Sequence, residues 1–492
     1  MTKEDYLTQI EVVNRDGKFK PSWESLSQHQ TPKWFENAKF GIFIHYGLYS
    51  VPAFGNEWYS RNMYNKRDPE YRYHIETFGL QKDFGYKDFI PLFTAERFDA
   101  KHWIETFKNA GAKYVVPVME HHDGFSMYDS ELNRWNAFAM GPKKNICGEL
   151  KDECERQGIV FCGSSHRAEH YYFMNLGREI DSDVNDEKYR DFYGPAVLRP
   201  EYINVGFDGL TENPECVGPD KEWIEDWLAR TAEIIDIYKP AMLYFDTAIQ
   251  NKEYKPYLKK LCAYYYNRAI EWKKEVTICY KHYAFPPDVA TFDMERGGLQ
   301  DISPRYWQTD TAIGNKSWGY VKENTFKRSY KLICDLIDTV SKNGNFLLNI
   351  GPKADGSFTK EEEKVLKEIG EWLSVNGEGI YGTRCWSQYK EGDSSITDGS
   401  FNDSEEIEYN ESDYRFTYKN GYIYAFWMRP INGDAKIKAF KAQPMRGMII
   451  DKVELLSTGA DLQFERTEKD MVIKRTNDFM TDKPLCFRIK LL

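Results

Sequence analysis

The sequence predicts an α/β protein, a closed (β/α) TIM-like barrel followed by a C-terminal β-sandwich. Three features lead there. Short apolar runs alternate with helical periodicity up to about residue 385. Titratable side chains close most of those runs. Beyond residue 386 the pattern becomes short alternating strands with a hairpin turn.

The runs, in order, are "KFGIFIHYG", "AKYVVPVMEHH", "GIVFCGSSH", "AMLYFD", "VTICYKH", "ATFDME" and "GNFLLNIG". Each is rich in β-branched or aromatic residues and too short for a helix. Amphipathic segments lie between several of them. "EWIEDWLARTAEIIDIY" sets Trp223, Trp227, Ile234 and Ile237 on one helical stripe, and "YLKKLCAYYYNRAIEW" does so with Leu258, Leu261, Tyr265 and Trp272. Strand–helix–strand repeated over roughly 350 residues implies a parallel sheet, and at that length a closed barrel. The alternative is an open doubly wound sheet, and the absence of GxGxxG after the first run counts against its dinucleotide-binding form.

The barrel domain is expected over residues 1–385 and the sandwich over 386–492. In the second, "YRFTYKNGYIYAFWM" reads as two strands around Asn420-Gly421, a strong hairpin signal. "AKIKAF", "DKVELLSTG", "DMVIKRT" and "LCFRIKLL" supply further short strands. The Asp-, Asn- and Pro-rich span 167–220 is a long insertion after the third run, a length associated with functional loops.

The 492 residues carry a net charge of −11, which argues against phosphate-backbone binding as the main activity. No run of apolar residues is long enough to span a membrane. The polar start "MTKEDYLTQI" has no signal-peptide core, so the sequence as it stands reads as cytoplasmic, or as an exported protein whose leader has been removed. The scattered cysteines frame neither a disulfide scaffold nor a zinc knuckle. Aromatic residues make up 16% of the chain, and such rings pack cores or stack on sugars and nucleobases.

Catalytic groups of a barrel come from the C-terminal ends of several strands. Here those ends carry His45, His121-His122, His166, Asp246, Lys281-His282 and Glu295. Asp246, closing "AMLYFD", is either a cap or turn residue or a carboxylate presented by a buried strand. A metal hydrolase would suit the histidines, but adjacent His121 and His122 point to opposite faces of a strand, and no HExxH or CxxC occurs. No Gly-x-Ser-x-Gly elbow is present for a serine nucleophile. Two carboxylates from different strands, ringed by imidazole and indole, fit glycoside hydrolysis best.

At these residues the chain resembles the family 29 glycoside hydrolases, the α-L-fucosidases. The resemblance rests on "WFENAKFGIFIHYGLYSVPAFGNEWYSRNMY", "VVPVMEHHDGFSMYDS", "SSHRAEHYYF", "WQTDTAIGNKSWGY" and "NGNFLLNIGPKADGSF", in family order from about residue 30 to 360. It implies a barrel with a C-terminal β-sandwich, a retaining mechanism through a covalent fucosyl-enzyme, and a fucosylated glycan as substrate. It implies neither metal nor organic cofactor, and no nucleic-acid or membrane partner. The family's nucleophile falls on Asp246 in Tyr244-Phe245-Asp246, with Tyr244 standing where Trp is frequent. "TFDMERGG" resembles the segment carrying the acid/base, which makes Glu295 the choice, with Asp293 and Glu57 as competitors. Fucose contacts fall on His45, Glu57, Trp58, His121, His122 and His166, with Tyr244 beside them. Asp123 and Gly124 shape the turn after the second run, and Asn349 is the one nearby candidate from "NIGPKADG". Two rival readings are a catalytically silent fucose-binding protein and a metal-dependent barrel hydrolase.

Overall fold

Side-chain alternation along the strand Phe40–Ile44 (β1) shows how the barrel closes. Phe43 enters an apolar cluster with Tyr114, Val116, Val118, Cys162, Met242, Tyr244, Cys279 and Leu347. Phe40, Ile42 and Ile44 enter a different cluster, shared with the surrounding helices. Period-two alternation with both faces apolar is what a strand buried between barrel interior and helical shell requires.

The computed structural model describes residues 1–197, 218–404, 406–442 and 448–492. After β1 come β2 (Tyr114–Glu120), β3 (Val160–Phe161, resuming at Gly163–Ser165) and β4 (Met242–Phe245). They are followed by β5 (Thr277–Tyr280), β6 (Thr291–Glu295), β7 (Trp307–Ala312) and β8 (Gly344–Ile350). Each pairs in parallel with the next, and β8 returns to β1 with Phe40 opposite Phe346, which closes the ring. Helices Lys221–Tyr238 and Lys255–Trp272 lie where the amphipathic segments predict them. Ile237 departs from its expected stripe and is 43% exposed, because the helical repeat from Trp223 through Trp227 and Ile234 falls next on Tyr238, which is buried.

All the apolar runs are strands. The ring also contains β7, "WQTDTA", which apolar patterning does not predict. Its inward residues Gln308 and Asp310 are polar and buried, bonded to Asp293 on the neighbouring β6 and to Tyr244 on β4 across the interior. The insertion is not an open loop over its first part. Residues 167–193 form a series of short helical turns, and Tyr172 and Phe173 pack into the main core. Its remainder, 198–217, lies outside the described residues.

The antiparallel part begins at Arg384. Strands Arg384–Glu391, Tyr414–Lys419, Tyr422–Trp427, Leu485–Leu491, Ile450–Leu455 and Ala460–Asp461 form one sheet in that order. Ala435–Ile437, Met471–Ile473 and Phe464–Arg466 form the other. Phe416, Trp427, Ile437, Phe440, Met471 and Phe487 fill the space between them. Asn420 and Gly421 both take positive φ, 51° and 84°, as the two-residue hairpin demands.

Candidate active site

The C-terminal ends of the barrel strands surround a cavity of about 280 Å³, near the lower limit of roughly 300–1,000 Å³ for ligand pockets and sized for one ring. His45 follows β1, His121 and His122 follow β2, and His166 follows β3. Asp246 follows β4, Lys281 follows β5, and Glu295 ends β6. Glu57 and Trp58 enter from the segment after β1. Eight of the nine residues assigned from sequence therefore line one cavity: His45, Glu57, Trp58, His121, His122, His166, Asp246 and Glu295.

Tyr244 is the exception and corrects the expectation. Two residues before Asp246 on the same strand, it shares the inward face but sits one layer deeper, fully buried. Its hydroxyl donates to Asp310, which lines the cavity, at 2.7 Å and lies 3.1 Å from Asp293, which does not. Asp293, also off the cavity lining, accepts from Gln308 Nε2 at 2.7 Å. Burial, reinforced by the neighbouring Asp310, pushes its carboxyl well above the usual range. Glu57 lines the cavity, but its Oε2 accepts from Ser317 Oγ at 2.8 Å and from the Trp318 backbone at 2.9 Å. It thus holds in place the loop that carries Trp318.

Asp246 is not a helix cap. One carboxylate oxygen lies 3.2 Å from His122 Nε2 and 3.0 Å from His166 Nδ1, and the other 2.9 Å from Lys281 Nζ. Burial pushes this carboxyl up, but Lys281, His166 and His122 outweigh burial and hold it well below the usual carboxylate range. The Lys281 ammonium also meets Glu295 Oε2 at 2.7 Å and lies 3.9 Å from Asp310. Burial is the largest influence on Glu295 and takes it up to about 7; Asp246 and Asp310 push the same way and Lys281 opposes them. Two largely buried carboxyls, from the strands on either side of β5, thus share the one cation that β5 supplies and are driven in opposite directions.

The imidazoles differ in charge for reasons their neighbours supply. His122 has acceptors on both sides: Nε2 faces Asp246, and Nδ1 lies near Glu169 at 3.3 Å and the His166 carbonyl at 3.1 Å. Burial opposes its charge, yet Glu169 and Asp246 raise it to about 9, so it is an imidazolium at neutral pH. His166 is held at about 4, chiefly by burial, and is neutral. Its Nδ1 faces Asp246 at 3.0 Å, and its Nε2 is hydrogen-bonded with the Ser164 hydroxyl at 2.7 Å. Asn349 Nδ2 donates to the Trp318 carbonyl, so its Oδ1 accepts from His45 Nδ1 at 2.6 Å, which leaves His45 Nε2 an acceptor. His121 Nδ1 is buried and has no hydrogen-bond partner among the described residues. These are the hydrogen-bonding states that sugar hydroxyls need.

Among the described residues two groups could hold a metal ion: His45, His121 and His166, or His122, His166 and Asp246, with ligand atoms within 4.8 Å of one another. Both require His166, whose two nitrogens already face Asp246 and Ser164. Asp123 and Gly124 do shape the turn after β2: Asp123 Oδ1 accepts from the Phe125 backbone at 3.0 Å, and Gly124 has φ of 79°. The structure adds Asn56, Thr247, Asp310, Trp318 and Phe401 to the lining, none of which the strand-end pattern reaches.

A barrel whose strand ends gather two oppositely tuned carboxyls, imidazoles and indoles around a one-ring cavity defines a glycoside hydrolase. The α-L-fucosidase family profile matches residues 6–378. Plasma α-L-fucosidase of Homo sapiens is 32% identical over 381 residues, 75% of this chain and 73% of that one. Tissue α-L-fucosidase of Mus musculus is 28% identical over 463 residues, 93% and 90% of the respective chains. A Thermotoga maritima α-fucosidase solved with a mechanism-based inhibitor superposes with a TM-score of 0.75 at 27% identity, covering 96% of this chain and 100% of that one. The chain belongs to the α-L-fucosidase family.

Proposed function

We propose that the protein is a retaining exo-α-L-fucosidase that removes terminal α-L-fucose from fucosylated glycans through a covalent fucosyl-enzyme. One observation carries the reading. Asp246 and Glu295 contact the same ammonium, at 2.9 and 2.7 Å. The two oxygens can be no farther apart than those legs laid end to end. That bound admits the roughly 5–5.5 Å of a retaining pair and falls short of the roughly 6.5–9.5 Å that an inverting enzyme needs for its water.

The tuning fits the roles. Asp246, kept ionised, attacks C1 while Glu295, kept protonated near neutrality, gives its proton to the departing glycosidic oxygen. Water then attacks C1 of the ester, Glu295 takes back a proton, and Asp246 leaves as carboxylate. His122 and His166 orient the nucleophile; His45, His121, Glu57 and Trp58 surround the sugar. Both carboxyls of the pair are present, which favours turnover over silent fucose binding.

Asp246→Gly is the test. It should reduce hydrolysis of α-L-fucosyl substrates to background, and added azide should yield the β-fucosyl azide of inverted configuration. Turnover at the wild-type rate by pure Asp246→Gly would refute the assignment.

A further inference from the structure

Residues 396–403, from the segment that follows the first antiparallel strand, reach back to the mouth of the barrel. Gly298 and Gly399 exchange backbone hydrogen bonds of 3.2 and 3.0 Å. The Phe401 amide donates to the Glu295 carbonyl at 3.0 Å, and those of Asn402 and Asp403 to the Arg296 carbonyl at 2.9 and 3.0 Å. The Asp403 carboxylate then receives Arg296 at 3.1 Å, Lys327 at 3.0 Å and the Thr311 hydroxyl. The approach is close enough to dictate sequence: a Cβ on Gly297 would stand 1.9 Å from the Gly399 carbonyl oxygen. Arg296 and Gly297 of "ERGG" are therefore docking residues for this segment.

The docked segment delivers Phe401. Its backbone has φ of 59°, a left-handed conformation costly for an aromatic residue and sustained here by the anchors on either side. The ring lines the active-site cavity yet remains 62% exposed, whereas Phe43 and Trp318 on the same wall are buried. A bulky apolar ring, strained and held half in water at the rim of a sugar site, has a face to offer a ligand.

On the proposed retaining mechanism, which this inference deepens, Glu295 protonates the glycosidic oxygen. The leaving sugar must then exit past Glu295, and Phe401 is hydrogen-bonded to the Glu295 peptide. We infer that Phe401 is the stacking platform for the leaving group: it receives the apolar C–H face of the pyranose to which fucose is attached. Fucose recognition belongs to the barrel, and aglycone recognition is lent by the C-terminal part of the chain.

The experiment compares substrates with and without a leaving sugar. Phe401→Gly accommodates the left-handed backbone and removes only the ring; Phe401→Tyr restores a ring. Each would be assayed on α-L-fucosyl fluoride, whose leaving group is too small to reach the rim, and on fucosyl disaccharides with galactose or N-acetylglucosamine as leaving sugar. For Phe401→Gly, kcat/KM on the disaccharides should fall on the order of ten-fold relative to the fluoride, through a rise in KM, and Phe401→Tyr should recover most of it. Equal losses on both substrates would mean a structural role and overturn the inference, as would no loss on either. If the wild-type protein cleaves neither fluoride nor disaccharide, the proposed function falls and this inference with it. Selective loss in Phe401→Gly has no such ambiguity.

Discussion

Lys281→Met isolates the cation that Asp246 and Glu295 share. Its ammonium favours the charged form of both carboxyls, so its removal should raise both pKa values, and the pH profile of kcat/KM should move upward as a whole. The alkaline limb reports Glu295, which must be protonated to act, and stands at about 7 in the wild-type protein. The acid limb reports Asp246, which must be ionised and is held well below the usual range. An opposite charge at ion-pair distance shifts a carboxyl by roughly 1–3 units, so the alkaline limb should move up by that amount. Inverse-distance scaling makes the pull on Glu295 at 2.7 Å about 1.4 times that on Asp310 at 3.9 Å, so Glu295 responds most. The assay is kcat/KM from pH 4 to 10 on a fucosyl disaccharide, whose poor leaving group makes protonation visible. Removing one member of a buried ion cluster also costs about 3–5 kcal/mol of stability, to be followed by urea unfolding. Lost stability lowers amplitude at every pH and moves neither limb, while Lys281→Arg, which keeps the charge, should return both limbs toward wild type. Limbs that stay in place or move down in Lys281→Met would refute the shared-cation account.

Glu295→Ala should lose about 10²–10⁴-fold on natural glycosides but far less on aryl fucosides with good leaving groups, and azide should give the α-fucosyl azide of retained configuration. Equal activity on both classes would place the acid elsewhere, with Glu57 next to be tested. His122 is raised to about 9 from an ordinary value near 6.5, so its contribution to stability is complete below about pH 6.5 and lost as pH climbs through 9, about 3 kcal/mol in all. Urea unfolding at pH 6 and 9.5 should show that loss, and His122→Gln should lack it; parallel pH slopes in the two proteins would contradict the imidazolium. His121→Ala should lose about ten-fold in kcat/KM, with activity indifferent to chelator before and after, since its imidazole holds a hydroxyl. A stoichiometric bound zinc that this substitution releases would instead favour the metal-dependent reading.

What could be read from sequence and what could not divide along a physical line. A barrel strand with at least one continuous apolar face announces itself, so β1, β4 and β8 are legible, and so are the polar groups that stop them, His45 and Asp246 among them. β7 is hidden because both of its faces carry polar residues: Gln308 and Asp310 bond Asp293 and Tyr244 on one, and Thr309 and Thr311 bond the Met294 carbonyl and Asp403 on the other. Tyr244 lies off the cavity for a different reason. Position along the chain gives the side of the sheet but not the depth of the layer, and a residue two places before a cavity carboxylate lies one layer below it. Phe401 carries no local signal at all. It is a lone aromatic among polar residues about a hundred positions after Glu295, joined to it by one backbone hydrogen bond. Only "ERGG" hinted at the contact, since Gly297 has no reason to be glycine until the Gly399 carbonyl is brought against it. Strand-end chemistry is written in local pattern. The part of a site that reads the rest of the substrate can come from anywhere the chain folds back, and its trace in sequence is the space left for it to dock.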